Sequence, residues 1–139
     1  MATRTGSRRK RDPIPESYRD ILEKRGLAHV STIGPRGEPN TNPVWYGWDG
    51  EALRFSTTKQ RQKYKNLTRN PKIAVSITDP DQPFRYLEIR GVADIQDDHD
   101  LSFINQMARK YLDRDYPWSQ PGEERVIVSI RPAHATYQG

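Results

Sequence analysis

The sequence predicts a mainly β fold with inserted helices, an antiparallel barrel that is closed or split. Three observations lead there. Alternating apolar and polar residues recur along the chain, as in Ile73, Val75 and Ile77 or Val126, Val128 and Ile130, which is the period of a half-buried strand. Asp49-Gly50 lies between two such segments, and that dipeptide favours a tight hairpin turn. The helical patterns interrupt the strands irregularly, whereas a doubly wound parallel sheet alternates strand with helix. At 139 residues the chain has the size of one ordinary domain.

Taken in order, "PIPESYRDILEKRG" reads as a short helix, with Pro15 in its first turn, Tyr18, Ile21 and Leu22 on one side, Lys24 and Arg25 late, and Gly26 as a stop. "LAHVSTI" is a β-branched strand, "GPRGEPN" a turn, and "TNPVWYGWDGEALRFST" two strands joined at Asp49-Gly50. In "STTKQRQKYKNL", Thr57 and Gln60 have capping-box spacing and Tyr64 and Leu67 form a contact side, before Asn70-Pro71 ends a short basic helix. "KIAVSIT" is a strand and "DPDQP" a turn, and "FRYLEIRGVADI" is a long strand with Leu87 and Ile89 opposite Tyr86, Glu88 and Arg90. "DDHDLSFINQMARKYL" is a helix with Asp97 or Asp98 as N-cap and Leu101, Ile104, Met107, Ala108 and Tyr111 as its apolar stripe. The loop "DRDYPWSQPG", the strand "RVIVSIRP" and a short extended piece complete six or seven strands. A split or closed barrel accommodates this pattern.

The formal charge of +5 is local. Arg4, Arg8, Arg9, Lys10 and Arg11 stand in the first eleven residues without an acid, leaving 18 basic and 18 acidic side chains in the rest. The expectation is a disordered basic tail over residues 1–11 and a neutral folded domain over 12–139. A basic face suited to nucleic acid is not expected. The longest apolar runs are too short for a membrane span, and no apolar segment follows the basic start. With no cysteine in the chain, a soluble cytoplasmic protein is expected. The apolar share of 33% is low, which favours a homodimer that completes the core.

His29, His99 and His134 lack paired ligand spacing, so no metal site is expected. The acids around His99 read as helix-capping groups. Glycine-rich nucleotide loops and hydrolase elbows are absent. Tyr116, Pro117 and Trp118 sit in a long loop, either as a lid over a flat ligand or packed down on the protein. The basic segment is the informative one. Between Ala52 and Thr78 it carries seven Lys and Arg residues and no acid. Hydroxyls at Ser56, Thr57 and Thr58 precede a helix start, and Lys59, Arg61 and Lys63 follow within a turn or two. Hydroxyls, free helix N–H groups and cations are the means by which proteins hold phosphate. A solvated helix face with one capping threonine would show the same pattern.

"NTNPVWYGWDG", "LRFSTTKQRQKYKNLTRNPKIAVSITDPDQPFRYLEIRGVADI", "ARKYLDRDYPW" and "RVIVSIRP" together resemble the pyridoxamine 5'-phosphate oxidase-like split-barrel superfamily. Within it they are most similar to the short branch of flavin- and deazaflavin-dependent oxidoreductases, which includes deazaflavin-dependent biliverdin reductases. The resemblance runs from Ile14 to the C-terminus. It implies an FMN-binding-like Greek-key split barrel, a homodimer with two cofactor sites at the interface. It also implies that Ser56, Thr57, Thr58, Arg61 and Lys63 hold the cofactor phosphate, that Asn42, Pro43, Val44 and Trp45 line the ring, and that Ile77 or Thr78 lies close.

True pyridoxamine phosphate oxidases carry a longer basic C-terminal region, so oxidation of pyridoxamine phosphate is not expected. The family divides between FMN and the deazaflavin coenzyme F420, whose tail is more acidic. The surplus Lys59, Lys65 and Arg69 and the arginines of the N-terminal tail suit F420. The implied activity is hydride transfer from reduced F420 to a conjugated acceptor such as an enone, a quinone or a tetrapyrrole like biliverdin. An FMN-dependent reductase or oxidase and a non-catalytic cofactor carrier are the alternatives. The residues name no acid or base: Tyr46, Tyr86, Tyr116 and solvent all remain open as proton donors.

Overall fold

A computed structural model describes residues 12–139; the expected basic tail lies outside the described residues. A 3-10 helix, Glu16–Glu23, precedes β1 (Ala28–Ile33), β2 (Pro39–Val44), β3 (Gly47–Trp48), β4 (Leu53–Thr58), α1 (Gln62–Arg69), β5 (Lys72–Thr78), β6 (Tyr86–Asp97), α2 (Ser102–Leu112), β7 (Arg125–Ile130) and β8 (His134–Gln138). The hydrogen-bonded order is β2-β1-β5-β6-β7-β4-β3, with β8 also on β6. All pairings are antiparallel. The ends of this order, β2 and β3, are consecutive in the chain yet unpaired, so the barrel is split.

The eight strands exceed the expected six or seven because residues 39–48 do not make one strand. Pro39–Val44 pair with β1 across the "GPRG" turn, where Gly37 has a φ of 83°. The chain leaves at Trp45–Tyr46, and Gly47–Trp48 pair with β4 instead. The second hairpin turns at Asp49-Gly50 as expected. The Asp49 carboxylate accepts the N–H groups of Glu51 and Ala52 at 2.8 and 2.7 Å, and Gly50 has a φ of 97°.

β6 bends the sheet into a barrel. Its first half pairs with β5 and β8, its second half with β7. Ala93 faces Ile130 and Arg90 faces His134, so two residues of β6 oppose three on the β7–β8 edge, a bulge that turns a corner. Gly91 sits at that corner, where a Cβ would lie 2.7 Å from the carbonyl oxygen of Arg131. Only glycine fits without a shift.

The alternation read from the sequence fills the interior. Val30, Phe55, Val75, Ile77, Leu87, Ile89, Val126, Val128 and Ile130 are buried around Tyr46, Ile21 and Leu22. Buried Asp79 pins the N-terminal helix to this body. It accepts from Lys24 Nζ at 2.9 Å and Arg85 Nη1 at 2.7 Å, while Arg85 also holds Asp20. Burial opposes the charge on Asp79, but the bonds from Lys24, the Asp81 N–H and Arg85 outweigh it and hold the carboxyl well below its usual range.

The helices differ from their sequence reading at their starts. The first is a 3-10 helix with Pro15 as its N-cap, and it ends at Glu23 rather than at Gly26. Thr57 and Thr58 stay in the β4 ladder, opposite Val126 and Arg125. The α1 helix therefore begins after a turn closed by Arg61 N–H on the Thr58 carbonyl at 3.1 Å, with Arg61 as N-cap. A Thr57–Gln60 capping box does not form. At α2 the N-cap is Leu101, with a φ of 61°. Asp98 nevertheless satisfies the free donors, accepting Phe103 N–H at 3.1 Å and Ile104 N–H at 3.0 Å. Among the described residues, no helix is long and apolar enough to cross a membrane.

Candidate functional site

A cavity of about 330 Å³ opens where the chain crosses from β2 to β3. Pro43, Val44 and Trp45 supply one wall, and Ser56 and Thr57 at the end of β4 supply the next. Arg61 and Lys63 at the start of α1 form its cationic end, while Ile104 and Met107 of α2, with Leu27, Tyr116 and Trp118, form an apolar wall. Local structure explains these placements. The strand break at Trp45 exists because β2 and β3 belong to opposite edges of the split, and β4 runs directly into α1. A Cβ at Gly47 would lie 2.8 Å from Met107 Cε, so the flexible end of that side chain would have to shift.

Trp45 is held in place. Its ring stacks on Tyr111 at 5.1 Å and 9°, and Tyr111 Oη donates to the Gly26 carbonyl at 2.7 Å. Lys110 Nζ donates to the Tyr46 carbonyl at 2.7 Å. Burial lowers the Lys110 amine to about 8 and raises the Tyr111 phenol to about 12. The loop after α2 is packed down while also walling the cavity. The Tyr116 N–H donates to Asn105 Oδ1 at 2.9 Å, its ring meets Trp45 edge-on at 6.3 Å, and Trp118 packs edge-on against Tyr116.

The basic segment divides by partner. Lys59 Nζ lies 3.1 Å from Asp97 and 3.9 Å from Glu124, turned away from the cavity. Arg54 faces Asp49 at 3.7 Å and lies over the Phe103 ring, and Arg69 is bonded to the Ile33 carbonyl and Asn66. Among the described residues no carboxylate pairs with Arg61 or Lys63. Lys63 is half-buried, and burial followed by repulsion from Arg61 lowers its pKa. A half-buried cation with no counter-ion, beside hydroxyls and the open N-terminus of α1, is an arrangement that an anion would relieve.

Of the twelve residues expected at the site, the cavity gathers seven: Pro43, Val44, Trp45, Ser56, Thr57, Arg61 and Lys63. Asn42 is exposed on β2 and Thr58 is buried behind the β4 turn, outside the lining. Lys59 is drawn off by Asp97. Ile77 is fully buried in the core and Thr78 is exposed at the end of β5, because the strand's alternation points Ile77 inward. Leu27, Ile104 and Met107 in the lining were not anticipated, nor was Arg125, which lies outside the lining and bonds to Ser56 and Tyr116. Ile104 and Met107 read from their spacing as core residues, and nothing local marks Arg125.

The model of the family described as pyridoxamine 5'-phosphate oxidase matches residues 14–139. A solved structure named "F420 Reductase" is 41% identical, covers 88% of this chain and 98% of its own, and superposes with a TM-score of 0.79. A conserved hypothetical protein from Mycobacterium tuberculosis is 23% identical over 94% of this chain and 88% of its own, with a TM-score of 0.71. General Stress Protein 26 from Bacillus anthracis is 22% identical over 88% and 91%, with a TM-score of 0.66. The last two show the fold alone. No functionally curated protein matches. The family match over residues 14–139, the 41% identity and the split barrel together establish that this chain belongs to the pyridoxamine 5'-phosphate oxidase family.

Proposed function

We propose that this protein is an oxidoreductase that uses coenzyme F420 to reduce a conjugated small molecule such as an enone, a quinone or a tetrapyrrole, and that it works as a homodimer. The observation that carries the cofactor reading is the pair Arg61 and Lys63, without carboxylate partners, at one end of a cavity whose other walls are aromatic and apolar. That combination suits a flat ring bearing a phosphate. The likeness to a structure named "F420 Reductase" supports the deazaflavin. A cavity of about 330 Å³ is near the lower limit of small-molecule sites, roughly 300 Å³. It takes a ring and the adjoining chain, and a second protomer over the opening would enclose the rest.

In this reading Ser56, Arg61 and Lys63 bind the phosphate, Trp45 and its Tyr111 support orient the ring, and Leu27, Ile104, Met107 and Trp118 exclude water. The bound deazaflavin supplies hydride-transfer chemistry. FMN is the second reading, favoured by a specific observation. Of the cations that would suit a longer acidic tail, Lys59 and Arg69 are engaged within the protein and Lys65 lies outside the cavity lining, which leaves Arg61 and Lys63 as its cationic end.

Titration with F420 and with FMN, followed by absorbance and fluorescence, separates the two. Turnover of the reduced cofactor with a panel of quinones, enones and biliverdin separates an enzyme from a carrier. Binding of neither cofactor would refute the proposal. Sedimentation at micromolar concentration tests the dimer, and a monomer that binds cofactor as tightly as a dimer would remove the second protomer from the site.

A further inference from the structure

Arg125, at the start of β7, joins the two ends of the cavity from behind. Its side chain is only 8% exposed. Nη1 donates to Ser56 Oγ at 3.1 Å, Nη2 donates to Tyr116 Oη at 3.1 Å, and the guanidinium lies 4.7 Å from the Tyr116 ring centre. Glu123 is its nearest carboxylate, 3.4 Å from Nη2 and from Nε, with no hydrogen bond formed at Nε.

A guanidinium carries donors only, whereas a hydroxyl can give one hydrogen bond and accept two. Each hydroxyl bonded to Arg125 must therefore accept, and its own hydrogen points elsewhere. Neither Ser56 nor Tyr116 has a further side-chain bond among the described residues, and both line the cavity. Of the other polar side chains there, Arg61, Lys63 and the indoles of Trp45 and Trp118 carry donors only and Thr57 a hydroxyl, and among the described residues no carboxylate lines the cavity.

We infer that Arg125 fixes the Ser56 and Tyr116 hydroxyls as hydrogen-bond donors into the cavity, so that the bound molecule presents a phosphate oxygen to Ser56 and a carbonyl oxygen to Tyr116. Ser56 stands with Arg61 and Lys63 at the cationic end. Tyr116 stands against Trp45 and Trp118, where a flat conjugated system lies and where its acceptor atoms are carbonyl oxygens. Arg125 is thus a positioning residue, and Tyr116 is the hydroxyl facing the reacting part of the ligand. The identity of the ligand rests on the proposed function; the donor geometry does not.

The test uses matched pairs of probes: FMN with riboflavin, and F420 with its phosphate-free deazaflavin. Ser56→Ala is expected to weaken the phosphorylated member by about tenfold or more and to leave the phosphate-free member unchanged. Tyr116→Phe is expected to weaken both members alike if the carbonyl belongs to the cofactor. It lowers kcat/KM with cofactor affinity unchanged if the carbonyl belongs to the acceptor. Arg125→Gln should combine both losses and add little to a Ser56→Ala, Tyr116→Phe double variant, with partial rescue by Arg125→Lys. Equal effects of Ser56→Ala on both members, or no effect of Tyr116→Phe on affinity or turnover, would overturn the inference, and neither reading depends on the Arg125 variants folding. If the wild type binds neither pair, the cofactor proposal falls and inorganic phosphate replaces the pairs. Weaker phosphate binding by Ser56→Ala then sustains the inference at the Ser56 end, and unchanged or undetectable binding overturns it.

Discussion

Replacing Lys63 with methionine keeps most of the aliphatic stem and removes the charge, and the structure predicts opposite effects on ligand and on fold. Lys63 is half-buried without a carboxylate, and burial then Arg61 lower its pKa. A lysine whose folded pKa lies below its unfolded value destabilises the folded state at neutral pH, where both states are charged, and that penalty vanishes only above the unfolded pKa. Lys63→Met should therefore raise the melting temperature of the ligand-free protein at pH 7, with the gain shrinking as pH rises through the lowered folded pKa and gone once pH passes the unfolded value, about 10.

Binding should move the other way. A charge-assisted bond to phosphate contributes roughly 1.5–3 kcal/mol, which is about ten- to a hundredfold in Kd. Lys63 is partly shielded from water and belongs near the upper end. Arg61 is exposed, is screened by salt, and belongs near the lower end in Arg61→Ala. Lys72→Ala, exposed and outside the cavity, serves as the control. The assay is a fluorescence titration of F420 and FMN at low and moderate salt, paired with thermal melts of the free proteins. If Lys63→Met bound cofactor like the wild type, or lowered the melting temperature of the free protein, the account of Lys63 as an anion's waiting partner would be wrong.

Gly91→Ala places a methyl group 2.7 Å from the Arg131 carbonyl oxygen, so chemical denaturation should show a loss of roughly 1–3 kcal/mol; an unchanged midpoint would mean that the corner relaxes freely. Asp79→Asn breaks the Lys24 and Arg85 bonds and should lower the denaturation midpoint at pH 7. Because the Asp79 pKa is depressed in the fold, its stabilisation is complete above the unfolded carboxyl value and fades as pH falls through the folded one, so variant and wild type should begin to converge below about pH 4. Asp98→Ala frees two N–H groups of α2 and should cost about 0.5–2 kcal/mol, with faster amide exchange at Phe103 and Ile104 as the local readout.

Local chemistry made much of this protein legible in its sequence. The alternation in Ile73, Val75 and Ile77 and in Val126, Val128 and Ile130 follows from the two-residue period of a strand, Asp49-Gly50 marks its own turn, and Asn70-Pro71 stops α1 where the sequence says. Arg61 and Lys63 belong to an acid-free stretch in which hydroxyls, a helix start and cations coincide, a pattern that suits a bound anion as well as a solvated face. Tertiary structure decided what depends on partners distant in the chain. Lys59 resembles Lys63 in sequence, yet Asp97 claims it. Lys24 resembles a solvated surface lysine, yet it closes on buried Asp79, 55 residues away. Ile104 and Met107 carry the spacing of core residues, and only the packing of α2 beside the strand break turns them toward a cavity. Arg125 has no local signal at all, since its role comes from Ser56 and Tyr116 arriving at two nitrogens of one guanidinium. Periodicity and turn chemistry act over a few residues, whereas the pairing of a charge or the direction of a hydroxyl is set by whatever the folded chain brings within about 3 Å.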